Sequence, residues 1–441
     1  MNSPQAHKPG TAPADAAALL RSGSYVVFLL LGAVIGVPVA AVSYFFLKAV
    51  DVAQRFVFST LPGDLGYATA PAWWPVVPLF VSGVVVALSI RYLPGTSGHK
   101  PTAGFKSSGA IAPVDLYGIV IASLATLCLG VVLGPEAPLI AIGGGLGALA
   151  MQLIKRDAPA AARAVVGTAG SFAAIASLLG SPITGAFLLM EAAGLGGPAL
   201  GVILVPGLLA AGIGSLIFVG LDSWTGYGTF SLTIAHIPSF TSPDGSEFLW
   251  AIVIGAAAAL VGTGIHVLAV FLQPRIEARM LLLTPVAGLA VAGCAIAFDE
   301  ATGRGSSPVL FSGQTGLAIL VQNAAGWTAG ALVLLVLFKS LAYGISMSCF
   351  RGGPVFPAIF LGAAGGMAFA HLPGLPMIAG VGMGIGAMSV AMLKLPLTSV
   401  LLASLLLLND APALMPLVIV AVVVSYVISA RLAPPAPAAK T

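Results

Sequence analysis

The sequence predicts an all-α integral membrane protein of two related halves, read as inverted repeats, with broken half-helices meeting at a central anion site. Three observations predict it. The first is composition: 59% of the 441 residues are hydrophobic and only 7% are charged, against roughly 25% charged in a soluble domain. With a mean hydropathy of +1.07, the chain cannot build a water-facing surface. The second is the recurrence of uncharged stretches of bilayer-crossing length, roughly 20 residues. Ser22–Leu47, Ala164–Met190 and Ala192–Leu221 carry no charge, and Gly352–Leu393 carries none apart from His371. By this criterion the chain holds on the order of a dozen helical segments. The third is a pair of helix-breaking motifs at matching places in the two halves.

Taken in order, residues 1–22 are polar and Ala/Pro-containing and lack the apolar core of a signal peptide. They are expected to form a disordered tail, with Arg21 at the membrane edge. Residues 23–432 form the transmembrane domain, with a first repeat of about 23–238 and a second of about 248–432, divided at the polar stretch around Ser239–Glu247. Residues 433–441 are a short Pro/Ala tail. In the first half, GPEAP (Gly134–Pro138) is followed about 48 residues on by Pro182 of SPIT. In the second, GGPVFP (Gly352–Pro357) is followed about 44 residues on by Pro396 of LPLT. Each first break opens into a small-residue helix and each Pro-[Ile/Leu]-Thr opens a Leu-rich one. Glycine lets helices approach closely in lipid, and a broken helix at membrane depth survives only where it lines a cavity or is buried in protein. Paired interruptions in two halves point to an internally repeated transporter and its binding site.

A charge at the bilayer centre costs at least about 2.5 kcal/mol, so buried acids are informative. The chain has five Glu, and two of them, Glu136 and Glu191, lie inside long apolar regions. Glu136 sits between two prolines, at an expected helix N-terminus whose free N–H groups favour an anion. A carboxylate there can occupy an anion site and leave it when protonated or displaced. GGPVFP makes a second such end, where Val355 and Phe356 offer N–H groups, Pro354 offers none, and Arg351 adds positive potential. In TSGHKP (Thr96–Pro101), Ser97 offers a hydroxyl, Gly98 a flexible backbone and Lys100 a cation at the mouth. No Lys or Arg stands at the inferred binding atoms themselves, so binding is expected to be weak enough for release.

In order along the chain, from about Tyr25 to Arg431, these segments resemble the CLC family of chloride channels and chloride/proton exchangers. That family carries Gly-Ser-Gly-x-Pro, which Thr96–Pro101 matches loosely. Its Gly-x-Glu-Gly-Pro is matched by Gly134–Pro138, with Ala137 in place of a Gly. Gly180, Pro182, Gly185 and Glu191 match its Gly-x-Pro-x-x-Gly stretch and the helix ending in Glu. Gly352, Gly353 and Pro357 match its Gly-Gly-x-Phe-x-Pro, with the Phe shifted to Phe356, and Pro396–Thr398 matches its Pro-Leu-Thr. The resemblance implies that Glu136 is the gating glutamate, that Ser97, Gly98, Val355 and Phe356 bind the anion, and that Gly134, Glu191, Gly352 and Gly353 support them. It also implies a homodimer with one pore per subunit in the cell membrane, of the bacterial type without cytoplasmic regulatory domains.

Two departures favour a voltage-gated chloride channel-like mechanism over the alternative, a proton-coupled antiporter. Ala192 stands where exchangers keep a second, internal glutamate. The chain also ends before the helix that supplies the family's central tyrosine, and Tyr426 is too early to match it. The expected partners are chloride or another monovalent anion and the lipid bilayer, with no cofactor or metal. The net charge of +4 and the absence of any basic run argue against nucleic acid. Cys128, Cys294 and Cys349 lack metal-ligand spacing and read as small buried hydrophobes. An intramembrane enzyme, the remote alternative, needs a nucleophile beside a base, and His99 and His371 stand isolated. A purely structural subunit has no need of buried acids at helix starts. The basic residues Arg91, Lys100, Lys106, Lys155 and Arg156 are expected on cytoplasmic loops.

Overall fold

The computed structural model describes residues 20–104, 111–226, 240, 242–407 and 411–432. Residues 1–19 of the expected N-terminal tail, Lys106, the start of the polar stretch between the halves and the C-terminal tail from 433 lie outside the described residues.

Among the described residues the secondary structure is helical. In chain order the helices are α1 (Gly23–Arg55), α2 (Val76–Tyr92), α3 (Leu116–Cys128), α4 (Glu136–Ile154), α5 (Ala160–Leu179), α6 (Pro182–Ala192), α7 (Pro198–Thr225) and α8 (Gly245–Ala278). They continue as α9 (Met280–Thr302), α10 (Gln314–Gln322), α11 (Ala329–Cys349), α12 (Val355–Phe369), α13 (Met377–Leu393), α14 (Pro396–Leu407) and α15 (Ala411–Leu432). Eight helices among the described residues are long and apolar enough to cross a membrane. This makes the chain a multi-pass membrane protein.

Local chemistry explains the ends. Ser181 precedes Pro182 and accepts the Thr184 N–H at 3.2 Å, so α6 starts with a capped first turn and a proline at its first position. Asp244 and Glu247 form a capping box at the start of α8. Bonds from Ser246 and the Glu247 N–H hold the Asp244 carboxyl below its usual range. At 1.5 Å per residue, the 11 residues of α6 and 12 of α14 span about half of a ~30 Å hydrocarbon core. These are half-helices.

The packing pattern recurs. In the first half α4 packs on α5, α5 on α7, and α1 on both α5 and α7; in the second α12 packs on α13, α13 on α15, and α8 on both α13 and α15. Both α4–α5 and α12–α13 come together through glycines. A Cβ on Gly147 would lie 2.5 Å from the Val166 carbonyl oxygen, and one on Gly380 2.6 Å from that of Gly366. Gly143/Gly147 and Gly362/Gly366 each follow the four-residue spacing that lets backbones touch in lipid. Large apolar side chains such as Leu30, Val34, Leu216 and Val219 face outward, which suits a lipid surface. Cys128 and Cys349 are buried, Cys294 is partly buried, and all three are free thiols.

Candidate functional site

The two motif breaks meet face to face. The Gly134 N–H donates to the Gly353 carbonyl at 2.8 Å and the Gly353 N–H donates back to Gly134 at 2.7 Å, an antiparallel bridge between GPEAP and GGPVFP. This contact aims the N-termini of α4 and α12 at one region. Glu136, the first residue of α4, is fully buried, and its Oε1 accepts the N–H of Val355, the first residue of α12. The Phe356 N–H also faces the carboxylate. Its other oxygen, Oε2, has no hydrogen-bond partner. A carboxylate seated on a helix N-terminus stands where a free anion would bind, because both seek the same N–H groups.

The glycines around it have a steric reason. A Cβ on Gly134 would run into the Glu136 carboxylate, and one on Gly353 into the Glu136 Cγ and Cδ. A Cβ on Gly352 would meet the Leu133 Cβ at 2.7 Å. Gly134, Gly352 and Gly353 thus make the room in which the acid lies. α12 begins at Val355, so the Val355 and Phe356 N–H groups belong to its first turn.

Ser97 lies elsewhere in the same neighbourhood. It lines a cavity of about 320 Å³ together with Gly98, Ala137, Pro138, Gly352 and Pro354. Its Oγ is buried and has no hydrogen-bond partner. The turn that presents it is left-handed throughout: φ is 70° at Gly95, 50° at Thr96, 59° at Ser97 and 95° at Gly98. Such angles strain Thr96 and Ser97, which carry a Cβ. Gly118 of α3 leaves space for the turn, since a Cβ there would come within 3.2 Å of the Ser97 hydroxyl. Beyond the turn, Lys100 pairs with Glu277 at 2.7 Å and Thr102 donates to Gln273 at 2.6 Å, tying the loop to the end of α8. A second, narrower cavity of about 30 Å³ reaches Pro135, beside Asp51, Gln54 and Gln314.

Ser97 and Gly98 therefore line the cavity, whereas the Val355 N–H is taken by Glu136. Glu191 is not in this cluster. Its carboxylate accepts the Leu397 and Thr398 N–H groups at 3.0 and 2.7 Å and the Thr398 hydroxyl at 2.6 Å, so it caps α14. It joins the Pro-[Ile/Leu]-Thr helix of one half to that of the other.

Two supporting residues escaped the sequence reasoning, and a third took a larger part than it assigned. Tyr343 of α11, fully buried, donates its hydroxyl to the Pro354 carbonyl at 2.8 Å and so steadies the start of α12. Lys339, also fully buried, shares its three N–H donors among the carbonyls of Pro308, Val309, Leu310 and Phe311 at 3.0 to 3.2 Å. A lone lysine inside an apolar helix was the available signal. Arg351, placed by the sequence only beside the break, in fact lines the cavity with Ser97.

The family model described as voltage gated chloride channel matches residues 102–430. A putative ion-transport protein YfeO of Escherichia fergusonii is 30% identical over 363 residues, covering 81% of this chain and 82% of that one. Its Escherichia coli counterpart is 29% identical over 362 residues, with the same coverage of each. The crystal structure of a slow cyanobacterial Cl−/H+ antiporter superimposes with a TM-score of 0.73 at 18% identity, over 92% of this chain and 94% of that one. A CLC-type fluoride/proton antiporter follows with a TM-score of 0.68 at 19% identity, over 92% and 96%.

Proposed function

The chain belongs to the voltage-gated chloride channel (CLC) family, and on that premise we propose that it carries chloride or a similar monovalent anion across the membrane in exchange for protons, with Glu136 as the gate. The observation that carries this reading is the Glu136 carboxylate lodged on the Val355 N–H, between the ends of α4 and α12. An arriving anion competes with the carboxylate for those N–H groups. Protonation removes the charge that holds the side chain there, so the acid leaves and the anion enters. One group thus couples the two ions. Ser97 and Gly98 hold the anion in the adjoining cavity, and the Phe356 N–H completes the seat that Glu136 vacates.

Ala192 favours a passive channel, because it stands where exchangers keep an internal acid. Two solved structures of this fold are a Cl−/H+ and a fluoride/proton antiporter, and they support exchange. The repeated packing of α4–α5 and α12–α13 supports a division into two related halves of about 23–238 and 248–432, inverted with respect to each other. The exposed Ile183 of α6 and Leu397 of α14 support a homodimer joined through those two helices.

The test is flux in liposomes under a chloride gradient, with chloride and internal pH read together. Uphill proton movement driven by chloride supports exchange. Chloride movement without protons leaves the channel reading in place. Absence of both, in protein shown to be folded, rejects anion transport.

A further inference from the structure

Arg351 is only 6% exposed, and no carboxylate among the described residues forms an ion pair with it. Every bond it makes is to a backbone carbonyl. Nε and Nη2 both donate to Thr96 at 3.3 Å, while Nη1 donates to Cys349 at 3.4 Å and to Phe350 at 3.3 Å. A guanidinium has five N–H donors, so these four bonds leave at least one unused. The residue lines the same cavity as the buried, unpartnered Ser97 hydroxyl.

Two consequences follow from this placement. Thr96 is the residue before Ser97, and both are held at positive φ. Nothing in their own backbone preference keeps a Thr-Ser pair there. The guanidinium grips the Thr96 carbonyl from the opposite motif, 255 residues away, and so fixes where the Ser97 hydroxyl stands. The second consequence is electrostatic. A buried cation with no carboxylate in contact with it raises the affinity of its surroundings for an anion, and a low-dielectric wall strengthens the effect. Among the described residues, the other ionisable groups lining this cavity are Asp115 and His99, and Glu277 acts on Arg351 electrostatically from outside it. Lys100 nearby is already paired with Glu277.

We propose that Arg351 determines the anion affinity and selectivity of this cavity, by latching the Ser97 turn through the Thr96 carbonyl and by placing a guanidinium free of any direct ion pair on the cavity wall. The proposal rests on the anion-transport reading above. It assigns to the cavity a monovalent inorganic anion bound by a hydroxyl and a guanidinium together. Guanidinium and ammonium are not equivalent in this role, because only the planar fork bonds Thr96 through two nitrogens while reaching its own helix end with a third.

The test is isothermal titration of the detergent-solubilised full chain with sodium chloride, bromide and nitrate, paired with relative flux of the same anions in liposomes. Arg351→Gln is expected to weaken chloride binding by about tenfold or more and to flatten the order among the three anions. Arg351→Lys is expected to recover most of the affinity but not the order, which separates charge from latch. Wild-type affinity and order in Arg351→Gln would overturn the proposal. If Arg351→Gln fails to fold, Asp115→Asn decides. Removing this negative charge from the cavity wall is expected to tighten chloride binding several-fold, and unchanged binding overturns the proposal. Failure of the wild type itself to bind or move any anion would instead reject the transport reading.

Discussion

At the scale of single residues, the proposed gate turns on Glu136 and the space around it. Glu136→Gln is expected to raise anion flux at neutral pH and to abolish its pH response, because the uncharged amide no longer competes for the α12 N–H groups. In the wild type, lower external pH should raise flux by protonating the same acid. Retention of the wild-type pH profile in Glu136→Gln would remove Glu136 from the gate. Gly353→Ala provides an independent check. The new methyl would occupy the place of the Glu136 Cγ and Cδ, so the acid must leave its seat. Flux in folded Gly353→Ala protein should therefore approach that of Glu136→Gln. Ser97→Gly removes the hydroxyl and accepts the φ of 59° without strain, so a change in relative flux of chloride, bromide and nitrate reports on the hydroxyl itself. Glu136 was legible in the sequence because an acid between two prolines in an apolar region has few other reasons to exist. The Arg351–Thr96 latch was not, since nothing local marks a partner 255 residues away.

At the scale of elements, the short helices depend on partners outside themselves. α14 begins with its first N–H groups satisfied by Glu191 of α6. Glu191→Gln is expected to destabilise the protein by about 1.5–3 kcal/mol, the worth of charge-assisted hydrogen bonds, while folded protein keeps its anion flux. A thermal melt in detergent beside a liposome flux assay distinguishes this capping role from a direct part in transport, which would lower flux at full stability. Lys339 organises a larger piece, since one ammonium holds four successive carbonyls ahead of α10. Lys339→Met leaves those carbonyls without this donor, the Val309 and Leu310 oxygens fully buried, and is expected to cost at least about 3 kcal/mol, again read as a lowered melting temperature. The starts of α6 and α14 could be read from Pro182 and Pro396. Their docking on each other could not, because a helix start shows in local sequence and its neighbour does not.

At the scale of the whole molecule, function by our reading requires the two halves to close on one site and two chains to pair. Ile183 is 61% exposed and Leu397 45% exposed on the two short helices that abut each other. Ile183→Trp combined with Leu397→Trp is expected to shift the particle from dimer to monomer in mild detergent, by mass measurement, with the helical circular dichroism unchanged. An unchanged dimer would place the contact on another face. Monomers that still move chloride would show that each chain carries its own pathway.

The sequence by itself determined the class of molecule and the positions of its breaks. Low charge and long apolar runs admit only a helical membrane protein, because lipid satisfies no backbone hydrogen bonds. Glycine and proline mark where helices stop, whatever surrounds them. It also placed an acid at a helix start, and through five motifs in order it reached the family. The tertiary structure alone decided which helix ends face each other. It put the Glu136 carboxylate on the Val355 N–H 219 residues away, Ser97 in a cavity beside it, and Glu191 on a cap rather than in the site. It also turned Arg351 from a nearby charge into part of the cavity wall. The reason is physical: helix ends and breaks follow from short-range backbone sterics and capping, whereas a binding site is made by contacts between residues far apart in the chain, which only the packing of the whole bundle selects.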